Sequence, residues 1–145
     1  MIGVIITGHG NFALGMMSAI KLVFGNPRDL KIINFKEEDT TDVLEGNIKT
    51  AIHELKECDG LICFTDIAGG TPFQVAARLS IAEADMKVIS GTNLPMLLGV
   101  LSERDEMTLE EAARYAVEAG KEEIQEFTYV ISKKSEVVQD DDNGI

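Results

Sequence analysis

Histidine 9 stands between two glycines in Thr7-Gly8-His9-Gly10, directly after the apolar run Ile2-Gly3-Val4-Ile5-Ile6. A titratable imidazole is thereby placed where a buried strand should emerge, with little side-chain bulk around it. A second set of small and polar residues, Asp66-Ile67-Ala68-Gly69-Gly70-Thr71, follows another apolar run. If the two loops meet, a carboxylate at Asp66 can accept a hydrogen from one ring nitrogen of His9, fixing the tautomer and leaving the other nitrogen as a nucleophile. Gly69 and Gly70 would let backbone amides approach an anion closely, and Thr71 would add a hydroxyl. The helix opening at Pro72 would aim its positive dipole end at the same point. Together these groups describe a site for a phosphoryl group carried on histidine, its charge held by backbone donors, with no metal or cofactor required. Taken singly, His9 could be a structural residue and Asp66 to Pro72 a tight turn with a helix cap. Their coincidence in one crevice is what favours chemistry.

That coincidence depends on the elements that carry the loops. Four apolar runs of strand length, Gly3 to Thr7, Leu30 to Phe35, Gly60 to Thr65 and Met86 to Ser90, each precede a longer segment of helical periodicity. The first helix is expected over Asn11 to Phe24, ended by Gly25-Asn26-Pro27. The second is expected to start at Asp42, with Glu45 three residues on completing a capping box, and to bury Leu44, Ile48, Ala51, Ile52 and Leu55. Thr71-Pro72 opens the third, with the Thr71 hydroxyl as its cap. A short helix follows Asn93-Leu94-Pro95. The last begins at Thr108-Leu109-Glu110-Glu111 and carries Leu109, Ala112, Ala116, Val117, Ile124 and Phe127. Alternation of this kind predicts a three-layer, doubly wound α/β domain with a mainly parallel sheet and right-handed crossovers. In the flavodoxin-like order 2-1-3-4, strands one and three are neighbours where the strand order reverses, which is where such sheets bind ligands. Thr128 to Ser132 reads as an extra edge strand. Residues 1–131 form the expected domain, and 132–145, rich in acidic residues, a flexible tail without the means to build a core.

Composition narrows the function. With 145 residues and 45% hydrophobic content, the chain can bury a sizeable core without disulfides or metals. Thirteen basic against twenty-five acidic residues give a formal charge of -12, which opposes binding to nucleic acid or anionic lipid and favours a basic protein surface as partner. Cys58 and Cys63 match no zinc or redox spacing and read as free thiols in a reducing compartment. The apolar start is too short for a signal peptide or a membrane span, so a cytoplasmic protein is expected. His53, inside the second helix, reads as a surface or boundary residue, and Met16, Met17 and Met96 as core filling. No nucleotide-binding glycine motif and no Gly-x-Ser-x-Gly elbow is present.

Three segments in register, Ile5-Ile6-Thr7-Gly8-His9-Gly10, Phe64 through Phe73, and Ile89-Ser90-Gly91-Thr92-Asn93-Leu94-Pro95-Met96, resemble the IIA component of the mannose class of the bacterial phosphoenolpyruvate-dependent sugar phosphotransferase system. The resemblance covers about residues 1 to 128. It implies that His9 accepts a phosphoryl group from the carrier HPr and passes it to a IIB component acting with a IIC/IID membrane complex, so that the protein could sit at the membrane periphery. It also implies that Asp66 orients the imidazole, that Gly70 and Thr71 contact the phosphoryl group, and that a homodimer forms by exchange of an edge strand. Gly10, Ile67, Ala68 and Asn93 are taken as the rim of this site. Thr71 stands where many relatives have serine, and Ile67 and Ala68 where some have polar or aromatic residues. The transported sugar cannot be read from these residues. Two other readings stay open: a phosphorylation-controlled regulatory module acting on transcription or on a dihydroxyacetone kinase, and a receiver domain phosphorylated on Asp66. The receiver reading lacks the acidic residues that would follow its first strand to hold magnesium.

Overall fold

The chain is described by a computed structural model covering residues 1–131. Its elements alternate as expected: β1 (Gly3–His9), α1 (Phe12–Val23), β2 (Leu30–Phe35), α2 (Thr41–Glu54), β3 (Leu61–Thr65), α3 (Thr71–Ala82), β4 (Met86–Ile89), α4 (Leu94–Glu103) with a 3-10 turn at Arg104–Glu106, and α5 (Leu109–Glu122). The four strands form one parallel sheet in the order β2-β1-β3-β4.

Alternation along β1 sorts the core into two layers. Ile2, Val4 and Ile6 pack with Ile62, Phe64 and the buried faces of α1, α4 and α5. Ile5 turns the other way, against Ile33, Cys63, α2 and α3. Side chains of a strand alternate across the sheet, so Gly8 belongs to the α1 face and His9 to the α3 face. Met96 is buried in the first layer and Met16 and Met17 pack against it, as core filling requires. Neither cysteine is in a disulfide, and burial pushes the Cys63 thiol up to about 12, leaving it inert.

Several local details differ from the sequence reading. β1 runs two residues further, through His9, because Gly8 and His9 still pair with Asn34 and Phe35 of β2. The second helix starts at Thr41: Thr40 is its N-cap and accepts from the Val43 amide, while Glu45 pairs with Arg78 and builds no capping box. The last helix ends at Glu122, so Ile124 and Phe127 lie beyond it and are exposed. Its predicted cap is present, Thr108 accepting from the Glu111 amide at 3.2 Å. The expected extra strand at Thr128 to Ser132 is not formed over residues 128–131, where the segment is exposed and no neighbouring strand of the described residues pairs with it. The expected acidic tail, 132–145, lies outside the described residues.

Candidate functional site

β1 and β3 are hydrogen-bonded neighbours, and the loops leaving their carboxyl ends bring His9 and Asp66 together. The Asp66 carboxylate accepts from both the backbone N–H of His9, at 2.8 Å, and its ring Nδ1, at 2.7 Å. Its other oxygen accepts from the Ile67 amide at 2.9 Å. Burial alone would raise the Asp66 pKa, but these three hydrogen bonds outweigh it and hold the carboxyl below its ordinary value. An ionised Asp66 keeps the proton on Nδ1, leaving the lone pair of His9 on Nε2. The imidazole is half exposed and Asp66 largely covered, which suits a nucleophile in reach of a partner and a carboxylate that positions it.

The third motif braces this arrangement from behind. Gly91 N–H donates to the Asp66 carbonyl at 2.8 Å, and the Thr92 amide and hydroxyl both donate to the Thr65 carbonyl. Asn93 caps α4 by accepting from Met96 N–H and donates to the Gly120 carbonyl at 3.0 Å. The polar groups of Asn93 are therefore spent on α4 and α5, and what this segment supplies to the site is backbone support.

Gly69, Gly70 and Thr71 form the turn into α3. Gly69 holds a φ of +80°, open to glycine at no steric cost, and its carbonyl accepts from the Gln74 side chain at 2.8 Å. Gly70, rather than Thr71, is the N-cap residue, and no side chain caps the helix. The first-turn amides of Thr71 and Phe73 are thus left to another acceptor, Pro72 having none to offer. A Cβ on Gly70 would stand 2.8 Å from Cε1 of His9 and 3.5 Å from Nε2, so Nε2 lies against the start of α3. Of the predicted rim, Ile67 and Ala68 are exposed beside this turn, and Gly10 takes a φ of +58° with its amide bonded to the Phe35 carbonyl.

Three contributors were not read from the sequence. Phe35 meets the imidazole edge-on, ring centroids 6.1 Å apart, at the position paired with His9 in the β1–β2 register. The strand order already implied that the end of strand two borders His9, and this was the available signal. Asn34 accepts from the Leu14 amide and donates to Asn11, supplying a polar cap to α1 from the neighbouring strand. Phe12 packs over Gly8, on the far side of β1 from the imidazole.

Fold and site together define a doubly wound α/β protein that presents a carboxylate-held histidine at the switch point of its sheet, opposite an uncapped helix N-terminus. Residues 3–117 match the family described as the PTS system fructose IIA component. The fructose-specific EIIA component of Bacillus subtilis is 32% identical over 111 residues, covering 77% of this chain and 76% of that protein. The mannose-specific EIIAB component of Escherichia coli K12 is 27% identical over 124 residues, covering 85% of this chain and 38% of the longer relative. The crystal structure of a phosphotransferase system EIIA component from Streptococcus agalactiae superposes with a TM-score of 0.80 at 29% identity, covering 87% of this chain and 97% of that one. The chain belongs to the IIA components of the sugar phosphotransferase system, as its three motifs had indicated.

Proposed function

We propose that this protein is a phosphoryl carrier, accepting phosphate from the phosphohistidine of HPr on Nε2 of His9 and donating it to a IIB component for sugar uptake. In the accepting step the Nε2 lone pair attacks phosphorus, the N–P bond of the donor breaks, and its electron pair returns to the donor imidazole. His9 keeps its Nδ1 proton throughout, and the positive charge that develops on its ring is stabilised by Asp66. The peptide amides opening α3 and the Thr71 hydroxyl receive the phosphoryl oxygens, supported by the helix dipole. The single observation carrying this reading is the 2.7 Å contact between Nδ1 and Asp66, which leaves Nε2 as the free nucleophile. Both Asp66 oxygens are occupied by hydrogen bonds, which favours histidine over aspartate as the acceptor.

The reading carries a setting and an assembly with it. No helix among the described residues is long and apolar enough to cross a membrane; the protein works in the cytoplasm and reaches the membrane through its IIB and IIC/IID partners. The exposed apolar run containing Ile124, Phe127, Tyr129, Val130 and Ile131 supports a homodimer in which this segment adds an edge strand to a second copy. Incubation with phosphoenolpyruvate, enzyme I and HPr should yield an acid-labile, base-stable phosphate that moves onto a cognate IIB. Label retained when IIB is added would favour a regulatory module instead. A base-labile, magnesium-dependent phosphate on Asp66 would identify a receiver.

A further inference from the structure

Gly8 is not held in a left-handed conformation, so its backbone does not explain why a glycine precedes the histidine. Its surroundings do. A Cβ at this position would stand 2.6 Å from Cδ1 and 2.9 Å from Cγ of Phe12, and 3.0 Å from the carboxyl carbon of Asp66. The aromatic ring, from the face of the sheet opposite the imidazole, and the carboxylate, which also holds Nδ1 of His9, therefore both come close to the bare Cα of Gly8. Phe12 is the first residue of α1, delivered there by the left-handed Gly10 and the polar Asn11–Asn34 link. It is half-buried against the core, and no lysine or arginine forms an ion pair with Asp66 among the described residues. The carboxylate is largely covered, and the apolar Phe12 ring meets the same point above Gly8 that its carboxyl carbon approaches.

We propose that Phe12 and Gly8 form a size-matched pair that seats Asp66 and keeps water from its rear, making Phe12 a positioning residue that acts on His9 through Asp66. Water excluded from one side of a hydrogen-bonded carboxylate lowers the local dielectric and strengthens the bond to Nδ1. Space matters as much as polarity. With a ring of this size at position 12, any side chain at position 8 pushes either the ring or the carboxylate aside. With a small residue at position 12, a side chain at position 8 is accommodated and refills the gap. The inference rests on the phosphohistidine reading for its purpose, but the state of the imidazole can be observed without any phosphate.

The test is the tautomer of His9, read from the nitrogen-15 shifts of its ring at alkaline pH, in the full-length protein and in Gly8→Ala, Phe12→Ala, Phe12→Leu and the double variant Gly8→Ala/Phe12→Ala. The parent should hold the proton on Nδ1. Gly8→Ala and Phe12→Ala should each shift the population toward the Nε2–H form and slow phosphoryl acceptance, by about a hundredfold for the displaced carboxylate and about tenfold for the hydrated one. Phe12→Leu, which keeps apolar bulk, should stay within about twofold of the parent, and the double variant should recover most of both losses. The proposal is overturned if the single variants lower thermal stability yet leave the tautomer unchanged, or if the losses of the two single variants simply add in the double variant. If the tautomer shifts as stated but His9 never carries phosphate, the positioning pair stands and the carrier function falls.

Discussion

Gly70 sets the clearance in front of Nε2 of His9, the proposed nucleophile, and its replacement makes a sharp prediction. A methyl group there would meet Cε1 of His9 at 2.8 Å and crowd Nε2. Gly70→Ala should therefore reduce phosphoryl acceptance about a hundredfold, measured as the rate of label incorporation, while leaving the unfolding midpoint almost unmoved. Asp66 gives a second prediction, whose sign follows from linkage. Its folded pKa is depressed below the ordinary 3.8, so the carboxylate contributes stability that is present above that value and lost as pH falls through the folded one. Asp66→Asn should be less stable than the parent near neutral pH, and the difference in denaturant midpoints should narrow below about pH 3.8. Thr7 behaves in the opposite sense: its hydroxyl is fully buried and unpartnered among the described residues, so Thr7→Val should be neutral or slightly stabilising in the same assay. The meeting of His9, Asp66 and the glycine turn in one place was legible in the sequence, because each follows a strand whose order puts its loop there. Phe12 and Phe35 were not, since an aromatic residue in an apolar pattern carries no mark of what its ring touches.

Among the described residues, the hydrogen bond that spans most of the sequence is made by Arg104, buried at the end of α4. Its guanidinium donates to the carbonyls of Ile2, Asp29 and Arg28, tying the start of β1 and the turn before β2 to the 3-10 segment. Asp29 within that turn holds a φ of +52°, so the clamp also secures an unfavourable backbone conformation. Arg104→Met should keep the apolar volume but take this donor from the Ile2 and Arg28 carbonyls, while the Asp29 carbonyl still accepts from the Val4 amide, with an expected loss of about 2 kcal/mol in equilibrium unfolding. Element type and order were legible from β1 through α5, because strand-length apolar runs alternating with amphipathic segments admit few architectures. The boundaries that shifted did so for local reasons. Thr40 outcompeted Asp42 as a cap because its side chain meets the Val43 amide, and β1 lengthened because β2 offered two further partners. The Arg104 clamp left no trace in the sequence, since a charged residue after an apolar helix reads as a solvated end.

For the molecule as a whole, the sheet's two edges and its charge decide what it meets. The exposed residues Tyr129, Val130 and Ile131 lie past the last helix, with no strand among the described residues paired to them. A strand-like pattern does not say which copy supplies its partner, and the extra edge strand expected over Thr128 to Ser132 is not formed over residues 128–131 of the single chain. If the proposed homodimer forms through this segment, the parent should sediment as a dimer and Val130→Asp toward monomer, without a change in circular dichroism. The formal charge of -12 makes association with a basic carrier fastest at low salt, so the second-order transfer rate should fall as ionic strength rises. The proposed function comes down to one event at one nitrogen. The most direct measurement is nitrogen-15 and phosphorus-31 NMR of the protein after incubation with phosphoenolpyruvate, enzyme I and HPr. Phosphate bonded to Nε2 of His9, absent from His9→Ala, is the predicted result; phosphate on His53 or Asp66, or label persisting in His9→Ala, would contradict it.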